Sequence, residues 1–265
     1  SGARPRRLVS RPAPAAGSGD ERTGGHVAGS ILGERVQRKA DPKFLTTGGE
    51  YVDDLTDEAL TGAAHVAYAR SAVAHGTILS IDVDGAKDMP GVIGVFTAEA
   101  LGLEPVPSTY SPIVARALLA SDKVRWVGEP VVAVVAETAA QAADAAEMVF
   151  VDVDFLPTLV DIETAMASDT LIYEAAGSNA VFDTTARGMP DNTATDDYFA
   201  DCEVVVSGRF LNQRVAPCPL EVRGSAATWV DGRLYQWLST QHAQGVKGPI
   251  AAANGVEPDV VRVIT

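Results

Sequence analysis

The chain has 265 residues, which is enough for one large domain or two ordinary ones. Its hydrophobic content of 46% and charged content of 21% are typical of a globular protein. The formal net charge of −14 argues against a nucleic-acid surface or an anionic membrane as the main partner.

The first 45 residues lack the periodicity of a packed element. Residues 1–30 are rich in Pro, Ala, Gly and Arg and are predicted to form a disordered tail. Residues 31–45 are polar and basic, with Pro42 interrupting them, and are expected to form a strap on the protein surface. Arg6 and Arg7 suggest a twin-arginine export signal, but no apolar segment follows them, so export is not predicted.

Short strands separated by turns are predicted next, over a first domain at residues 46–160. Alternating or β-branched runs indicate three of these strands, at residues 60–69, 76–83 and 92–96. A short helical turn is expected at residues 84–89, and Thr97 is expected to cap another short helix.

The strongest signal follows at the end of this domain. Residues 131–136 are an almost unbroken β-branched run, which predicts a strand buried on both faces. Thr138 has the character of an N-cap for the Ala-rich helix behind it. Residues 149–155 alternate and predict a half-buried strand. We interpret the three elements as a β-α-β unit within an α+β domain.

Residues 161–202 contain few long apolar runs and are expected to form a linker strap, with one short helix near residues 194–200. No apolar run in the chain is long enough to cross a bilayer. The second domain is expected at residues 203–265. Its first strand is predicted at residues 203–210.

A strand–turn–strand–helix–strand order is predicted for the rest of the second domain. Asp231-Gly232 is expected to form a tight turn, and Gly255 is expected at the C′ position of the helix. The predicted strands and helix are, in chain order, residues 222–230, 233–239, 246–254 (the helix) and 260–264.

Gln241 is the candidate site residue. It follows a predicted strand and precedes the helix that holds Pro249 in its first part. Free N–H groups and the helix dipole meet at such a position and favour anionic ligands. An amide side chain can donate to an oxo group without adding charge. The alternative, from spacing alone, is an ordinary surface residue.

Other residues with chemical potential are more consistent with structural roles. Glu221 and Arg223 can form an ion pair inside the second domain, or they are simply charges at a strand edge. Cys202 and Cys218 fit no metal or redox pattern and suggest reduced thiols in a cytoplasmic protein. A metal site made from this chain alone is not predicted, because no two histidines have metal-ligand spacing among His26, His65, His75 and His242.

Five ordered stretches resemble the molybdenum-binding large subunit of the xanthine dehydrogenase, aldehyde oxidase and aerobic carbon monoxide dehydrogenase family. They are FLTTGGEYVDDL, HVAYARSAVAHGTILSIDVDGAKDMPGVIGVFTAEAL, KVRWVGEPVVAVVAETAAQAADAAEMVFVDVDFLPTLVD, FLNQRVAPCPLEVRGSAATW and LYQWLSTQHAQG. The resemblance runs from about residue 33 to residue 265. It implies an a/b hammerhead domain at residues 46–160, followed by the start of a molybdopterin-binding domain at residues 203–265.

The resemblance also implies a chemistry. The glutamine of the STQ motif, here Gln241, lies next to the molybdenum in the family and hydrogen-bonds an oxo ligand. Family enzymes hydroxylate carbon with oxygen derived from water and pass electrons through [2Fe-2S] clusters to FAD. The implied partners are an iron–sulfur small subunit and an FAD medium subunit, in a dimer of heterotrimers. The stretch APCPLEVRG differs from that expected of the carbon monoxide enzymes, which favours a different or unassigned substrate. The resemblance implies a small organic substrate of the aldehyde, purine or N-heterocycle type.

One departure from the family limits these expectations. The family's Gly- and Phe-containing cofactor loop is expected directly after Thr265, and the general base beyond it, so neither is assigned here. We expect the chain to be catalytically incomplete alone, as a fragment, a truncated product or a split subunit. It would then bind the molybdenum–molybdopterin cofactor only with the C-terminal remainder of the large subunit. The alternative is a non-catalytic module whose hammerhead domain docks an iron–sulfur subunit.

Overall fold

The computed structural model describes residues 37–108, 111, 113–181 and 198–265. The tail predicted at residues 1–30 lies outside the described residues, as does most of the helix predicted near residues 194–200. The described end of that helix, residues 198–200, is a turn. The chain divides into two compact units, Ser1–Glu50 and Tyr51–Thr265.

In the first unit, the described residues contain one helix, α1 (Asp41–Thr46). Pro42 lies in its first turn, where the missing N–H removes no intrahelical hydrogen bond. The interpretation of Pro42 as an interruption was therefore wrong, because this proline begins a helix.

The first eight strands of the second unit form two three-stranded sheets and a small two-stranded ribbon. They are β1 (His65–Arg70), β2 (Gly76–Asp82), β3 (Val92–Phe96), β4 (Val106–Pro107), β5 (Ala115–Arg116), β6 (Lys123–Val124), β7 (Pro130–Ala136) and β8 (Phe150–Phe155). One sheet has the order β1-β7-β3 and the other β6-β2-β8, while β4 pairs with β5. All of these pairings are antiparallel.

Helices lie outside these sheets, at α2 (Asp84–Lys87), α3 (Ala98–Leu101), α4 (Ala139–Glu147) and α5 (Ile162–Ala167). We call residues 51–160 of this unit, which contain β1–β8 and α2–α4, the first domain. Separate antiparallel sheets, with helices between their strands in chain order, confirm the predicted α+β class. Thr97 caps α3 as expected, since its hydroxyl accepts from the Ala100 N–H at 3.2 Å.

Strand β7 lies at the centre of the first domain. Val131, Val132 and Val134 have no exposed surface and belong to one cluster with Val124 and Ala145. The backbone of β7 pairs with β1 on one side and with β3 on the other. The predicted strand buried on both faces is confirmed.

Helix α4 begins where the sequence predicts. The Thr138 hydroxyl accepts from the Gln141 N–H at 3.2 Å, which satisfies one free donor of the first turn. The β-α-β interpretation was wrong, however, because β7 and β8 lie in different sheets. Strand β8 pairs antiparallel with β2 instead, a partner some seventy residues earlier in the chain whose identity local periodicity does not encode.

The segment expected as a linker strap contains structure that we did not predict. Asp161 caps α5 by accepting from the Thr164 N–H at 2.9 Å. Arg125 of the first domain then holds the following residues. Its guanidinium lies 5.1 Å from the centre of the Tyr173 ring, and its Nε donates to the Ile172 carbonyl at 3.2 Å.

The second domain comprises β9 (Ser225–Val230), β10 (Arg233–Leu238), α6 (Ala243–Ala253) and β11 (Val261–Ile264). Strand β10 is central, antiparallel to β9 and parallel to β11. Asp231 and Gly232 both have positive φ, 49° and 76°, which is the backbone of a type I′ hairpin turn. Gly255 follows α6 with φ 63°, as a C′ glycine does.

Two predictions for the second domain were wrong. No strand forms at residues 203–210, where Val206 and Phe210 are 88% and 94% exposed, because no neighbouring strand pairs with this run. Helix α6 begins three residues earlier than predicted, so that Pro249 lies in its middle. In the described part of the chain, no helix combines the length and apolar character needed to cross a bilayer.

We predict that Val131→Asp prevents folding of the first domain. It places an unpaired charge in a fully buried strand, at a cost of several kcal/mol against a total stability of roughly 5–15 kcal/mol. The control is Val66→Asp on β1, where the valine is 52% exposed. Circular-dichroism melts should show a cooperative transition for the control and none for Val131→Asp; similar melts for both would contradict the prediction.

Candidate functional site

The candidate site is the turn that joins β10 to α6. Gln241 lies in this turn, between Leu238 at the end of β10 and Ala243 at the start of α6. Its side chain is exposed, and its amide makes no hydrogen bond with any described residue. The structure therefore places Gln241 where the sequence predicted, at a strand end beside a helix N-terminus.

Helix α6 has no side-chain cap at its N-terminus. His242 occupies the N-cap position without a side-chain hydrogen bond to the first turn, so N–H groups of that turn are left without an intrahelical partner. The helix dipole adds partial positive charge at the same point. The turn thus combines a neutral amide donor with the positive end of a helix, which suits oxygen atoms carrying negative charge.

Local contacts restrict the backbone after Gln241. The His242 N–H bonds to the Thr240 hydroxyl at 3.2 Å, and the His242 carbonyl accepts from Val246 at 3.2 Å. The imidazole of His242 lies against Gly245, where an added Cβ would come within 2.6 Å of the ring. A side chain at position 245 would therefore displace the imidazole from the first turn.

A groove of about 220 Å³ lies beside the first turn of α6. It is lined by three cationic residues, Arg233, Lys247 and Arg262, together with the helix residues Ala243 and Gln244. None of the three cations forms an ion pair within the described chain. In a chain of net charge −14, this face of the second domain is locally positive.

The histidines lie apart from one another. His75 is 2% exposed, and its Nδ1 lies 2.8 Å from the Pro157 carbonyl oxygen, which gives it a structural place in the first domain. His65 is exposed on β1, and His26 lies outside the described residues. Within the described ranges, no three His, Cys, Asp or Glu residues are grouped as metal ligands.

Glu221 and Arg223 do not form an ion pair with each other. Glu221 instead accepts a hydrogen bond from the Val52 N–H at 3.2 Å, through its Oε1, while Arg223 is exposed. Cys202 and Cys218 are free thiols, and both are exposed.

Sequence reasoning did not single out Glu129, which is 1% exposed. Its Oε2 accepts from the Arg125 N–H at 2.5 Å, while its Oε1 has no hydrogen-bond partner in the described part of the chain. Burial raises the pKa of the Glu129 carboxyl, and the hydrogen bond and charge of Arg125 oppose this rise. The sequence feature that could have indicated Glu129 is a carboxylate placed directly before an apolar strand. Its neighbours, Arg125 and Tyr173, belong to the contact that holds the interdomain segment.

Two family descriptions match the chain. The a/b hammerhead domain of aldehyde oxidase and xanthine dehydrogenase matches residues 46–157. The molybdopterin cofactor-binding domain matches residues 172–265, and so includes Gln241. The second match begins within the segment expected as a linker.

Curated relatives match over most of the chain. The large subunit of nicotine 6-hydroxylase from Paenarthrobacter nicotinovorans is 32% identical over 90% of this chain and 29% of its own length. The large chain of carbon monoxide dehydrogenase from Hydrogenophaga pseudoflava is 33% identical over 87% of this chain and 30% of its own length. The chain thus spans about 30% of the length of these relatives.

Solved structures share the fold. Carbon monoxide dehydrogenase from Oligotropha carboxidovorans matches with a TM-score of 0.72 and 30% identity, over 88% of this chain and 30% of that chain. Quinoline 2-oxidoreductase from Pseudomonas putida 86 matches with a TM-score of 0.69 and 29% identity, over 86% of this chain and 29% of that chain.

We predict that Glu129→Gln removes a pH dependence of stability. Because folding raises the pKa of Glu129 above its usual value of 4.5, the protonated carboxyl favours the folded state. That contribution is fully present below the unfolded pKa and is lost as pH rises through the folded pKa. Denaturant unfolding across pH 4–8 should show the wild type losing stability relative to Glu129→Gln as the pH increases.

The control for this experiment is Glu104→Gln, which removes the same charge at an exposed position. This variant should follow the wild-type pH profile. Parallel profiles for the wild type and Glu129→Gln would mean that burial does not disfavour the charged form of Glu129.

Proposed function

Because the chain belongs to the molybdenum hydroxylase family of xanthine dehydrogenase, aldehyde oxidase and aerobic carbon monoxide dehydrogenase large subunits, we propose that it is the N-terminal portion of such a subunit. The complete enzyme would oxidise a small organic substrate with oxygen derived from water. The observation that carries this proposal is the position of Gln241, at an uncapped helix N-terminus inside the molybdopterin-binding match.

The residues of the turn fit the oxygen ligands of a molybdenum–molybdopterin cofactor. Gln241 offers an exposed amide without a partner among the described residues, and a neutral donor adds no negative charge beside an anionic group. The first turn of α6 adds free N–H groups and partial positive charge. When bound, the cofactor supplies the redox chemistry. The role of Gln241 is to donate a hydrogen bond to an oxo ligand and so to orient the cofactor.

The proposed substrate is an aldehyde, a purine or an N-heterocycle. Support for the last class comes from the names of two similar proteins, a nicotine 6-hydroxylase and a quinoline 2-oxidoreductase, since both names denote N-heterocycles. The general base is assigned to no residue of this chain, and its source is the remainder of the large subunit.

Electrons would leave through [2Fe-2S] clusters to FAD on two partner subunits, in a dimer of heterotrimers. The name of one relative, the gamma subunit of the 6-hydroxypseudooxynicotine dehydrogenase complex from Paenarthrobacter nicotinovorans, supports a multi-subunit enzyme. We also propose a cytoplasmic location. The exposed free thiols of Cys202 and Cys218 support a reducing compartment.

We predict that Gln241→Ala in the complete enzyme lowers turnover by about 10²–10³, the usual effect of losing a donor aimed at developing charge. Folding should be almost unaffected, because the side chain is exposed. Gln241→Glu should be at least as harmful, since it places a carboxylate beside an anionic oxo group. The measurements are steady-state kinetics and molybdenum content of the same preparations.

Gln213→Ala provides the control, because it removes an exposed amide from the irregular segment before β9. It should retain wild-type turnover and molybdenum content. If Gln241→Ala also retains both, Gln241 has no part in the reaction.

A further inference from the structure

We propose that Ser239 and Gly224 are positioning residues that fix the turn carrying Gln241, and that Glu221 and Val52 connect this support to the first domain. The consequence for turnover depends on the function proposed for Gln241. The positioning itself does not, because it follows from hydrogen bonds and packing within this chain.

Ser239 and Gly224 form a reciprocal pair at the open end of the β9–β10 hairpin. The Ser239 N–H donates to the Gly224 carbonyl at 3.2 Å, and the Gly224 N–H donates to the Ser239 Oγ at 2.9 Å. The regular pairing ends one step earlier, at Leu238 and Ser225. The serine hydroxyl therefore extends the hairpin by one residue pair and sets the direction in which the chain leaves the sheet.

The hydroxyl proton of Ser239 has acceptors on the same segment. The Val222 and Gly224 carbonyl oxygens each lie 3.3 Å from the Ser239 Oγ. A hydroxyl carries one proton and two lone pairs, so Ser239 can accept from Gly224 and donate to either carbonyl at once. An alanine at this position would lose both contacts but would keep the backbone bond from its own N–H.

Gln241 consequently lies between two fixed points. Ser239 holds the chain two residues before it, and the bond from the His242 N–H to the Thr240 hydroxyl holds the chain directly after it. Its side chain makes no hydrogen bond with a described residue that could orient it. The direction of the Gln241 amide therefore depends on the backbone that these bonds hold in place.

The segment that carries Gly224 rests directly on the first residues of the second unit. A Cβ added at Gly224 would lie 3.0 Å from the Val52 Cβ and 3.3 Å from its Cγ1, closer than ordinary contacts. Glu221 accepts from the Val52 N–H at 3.2 Å. This N–H has no partner within the 3₁₀ helix, because Val52 is the first residue of that helix, Val52–Asp54. A carboxylate acceptor makes this a charge-assisted bond.

The two contacts have different consequences for the turn. Glycine at 224 allows the backbone to approach Val52, and a side chain there would require Val52 or the segment of Gly224 to shift by a few tenths of an ångström. Glu221 keeps the segment against the same residue through its carboxylate. The contacts of Val52 with Gly224 and Glu221 thus reach the turn of Gln241 through Ser239.

The first test measures positioning without any cofactor, by amide hydrogen exchange of this chain. Ser239→Ala should speed exchange by about ten-fold at position 239, whose N–H donates to the Gly224 carbonyl, and at His242, whose N–H donates to the Thr240 hydroxyl; this is the change in local opening expected for one lost hydrogen bond. Ser239→Thr keeps the hydroxyl and should restore slow exchange. Ser207→Ala, an exposed serine in the irregular segment, should have no effect. Unchanged exchange in Ser239→Ala would overturn the proposal.

The link to the first domain has its own pair of variants. Glu221→Ala removes the acceptor for the Val52 N–H and should also speed exchange at position 239 and at His242, whereas Glu221→Gln keeps an oxygen acceptor and should remain close to the wild type. Equal exchange in the two variants would overturn the role of this bond. Because Glu221 is only half-buried, both variants are expected to fold, which cooperative thermal melts would verify.

The second test uses the complete enzyme. Ser239→Ala should lower kcat with little change in KM, and Ser239→Thr should recover most of the loss. A faster exchange without a loss of kcat, in an enzyme where Gln241→Ala does lower turnover, would overturn the positioning role in the reaction. A failure of the proposed function would give a different result. In that case Gln241→Ala itself would leave turnover intact, whatever the exchange rates show.

Discussion

The structure depends on the burial of β7. Its residues Val131, Val132 and Val134 have no exposed surface, and a buried backbone must pair its N–H and C=O groups within the protein. Strands β1 and β3 provide that pairing on the two sides of β7. Hydrophobic residues of the second sheet, such as Val151 and Val153, pack against the same cluster. The arrangement of the first domain therefore serves to bury and pair one seven-residue strand.

From this domain, two separate sets of contacts reach the part of the chain that carries the candidate site. The charged, planar guanidinium of Arg125 lies over the Tyr173 ring, and its Nε–H donates to the Ile172 carbonyl. A lysine could not reproduce this combination, since it lacks both the planar group and the directional donors. Val52 provides the other connection, through Glu221. The first domain thus acts as a frame for a turn located more than a hundred residues later in the chain.

Sequence reasoning succeeded where the signal is local. A cap such as Thr138, a turn such as Asp231-Gly232 and a C′ glycine such as Gly255 are determined by the conformation of one or two residues. The position of Gln241 was predictable for the same reason, because it requires only a strand followed by a helix.

The failures concern partners that are distant in the sequence. The predicted strand at residues 203–210 has a run of three valines, but no described strand pairs with it. The β-α-β interpretation failed because β8 pairs with β2. The partner of Ser239 lies fifteen residues before it, across a hairpin, and the acceptor of the Val52 N–H lies 169 residues after it. The composition of one segment alone does not predict its contact with a distant one.

The proline in the middle of α6 has a mechanical consequence. Pro249 has no N–H, so it donates no bond to the Gly245 carbonyl four residues before it. The helical ladder of hydrogen bonds is therefore interrupted at this point. The part of α6 after Pro249 is secured in the core by Ala251, which packs with Leu234 and Val261. A bend at Pro249 would thus change the direction of the first turn, beside Gln241, and leave that core in place.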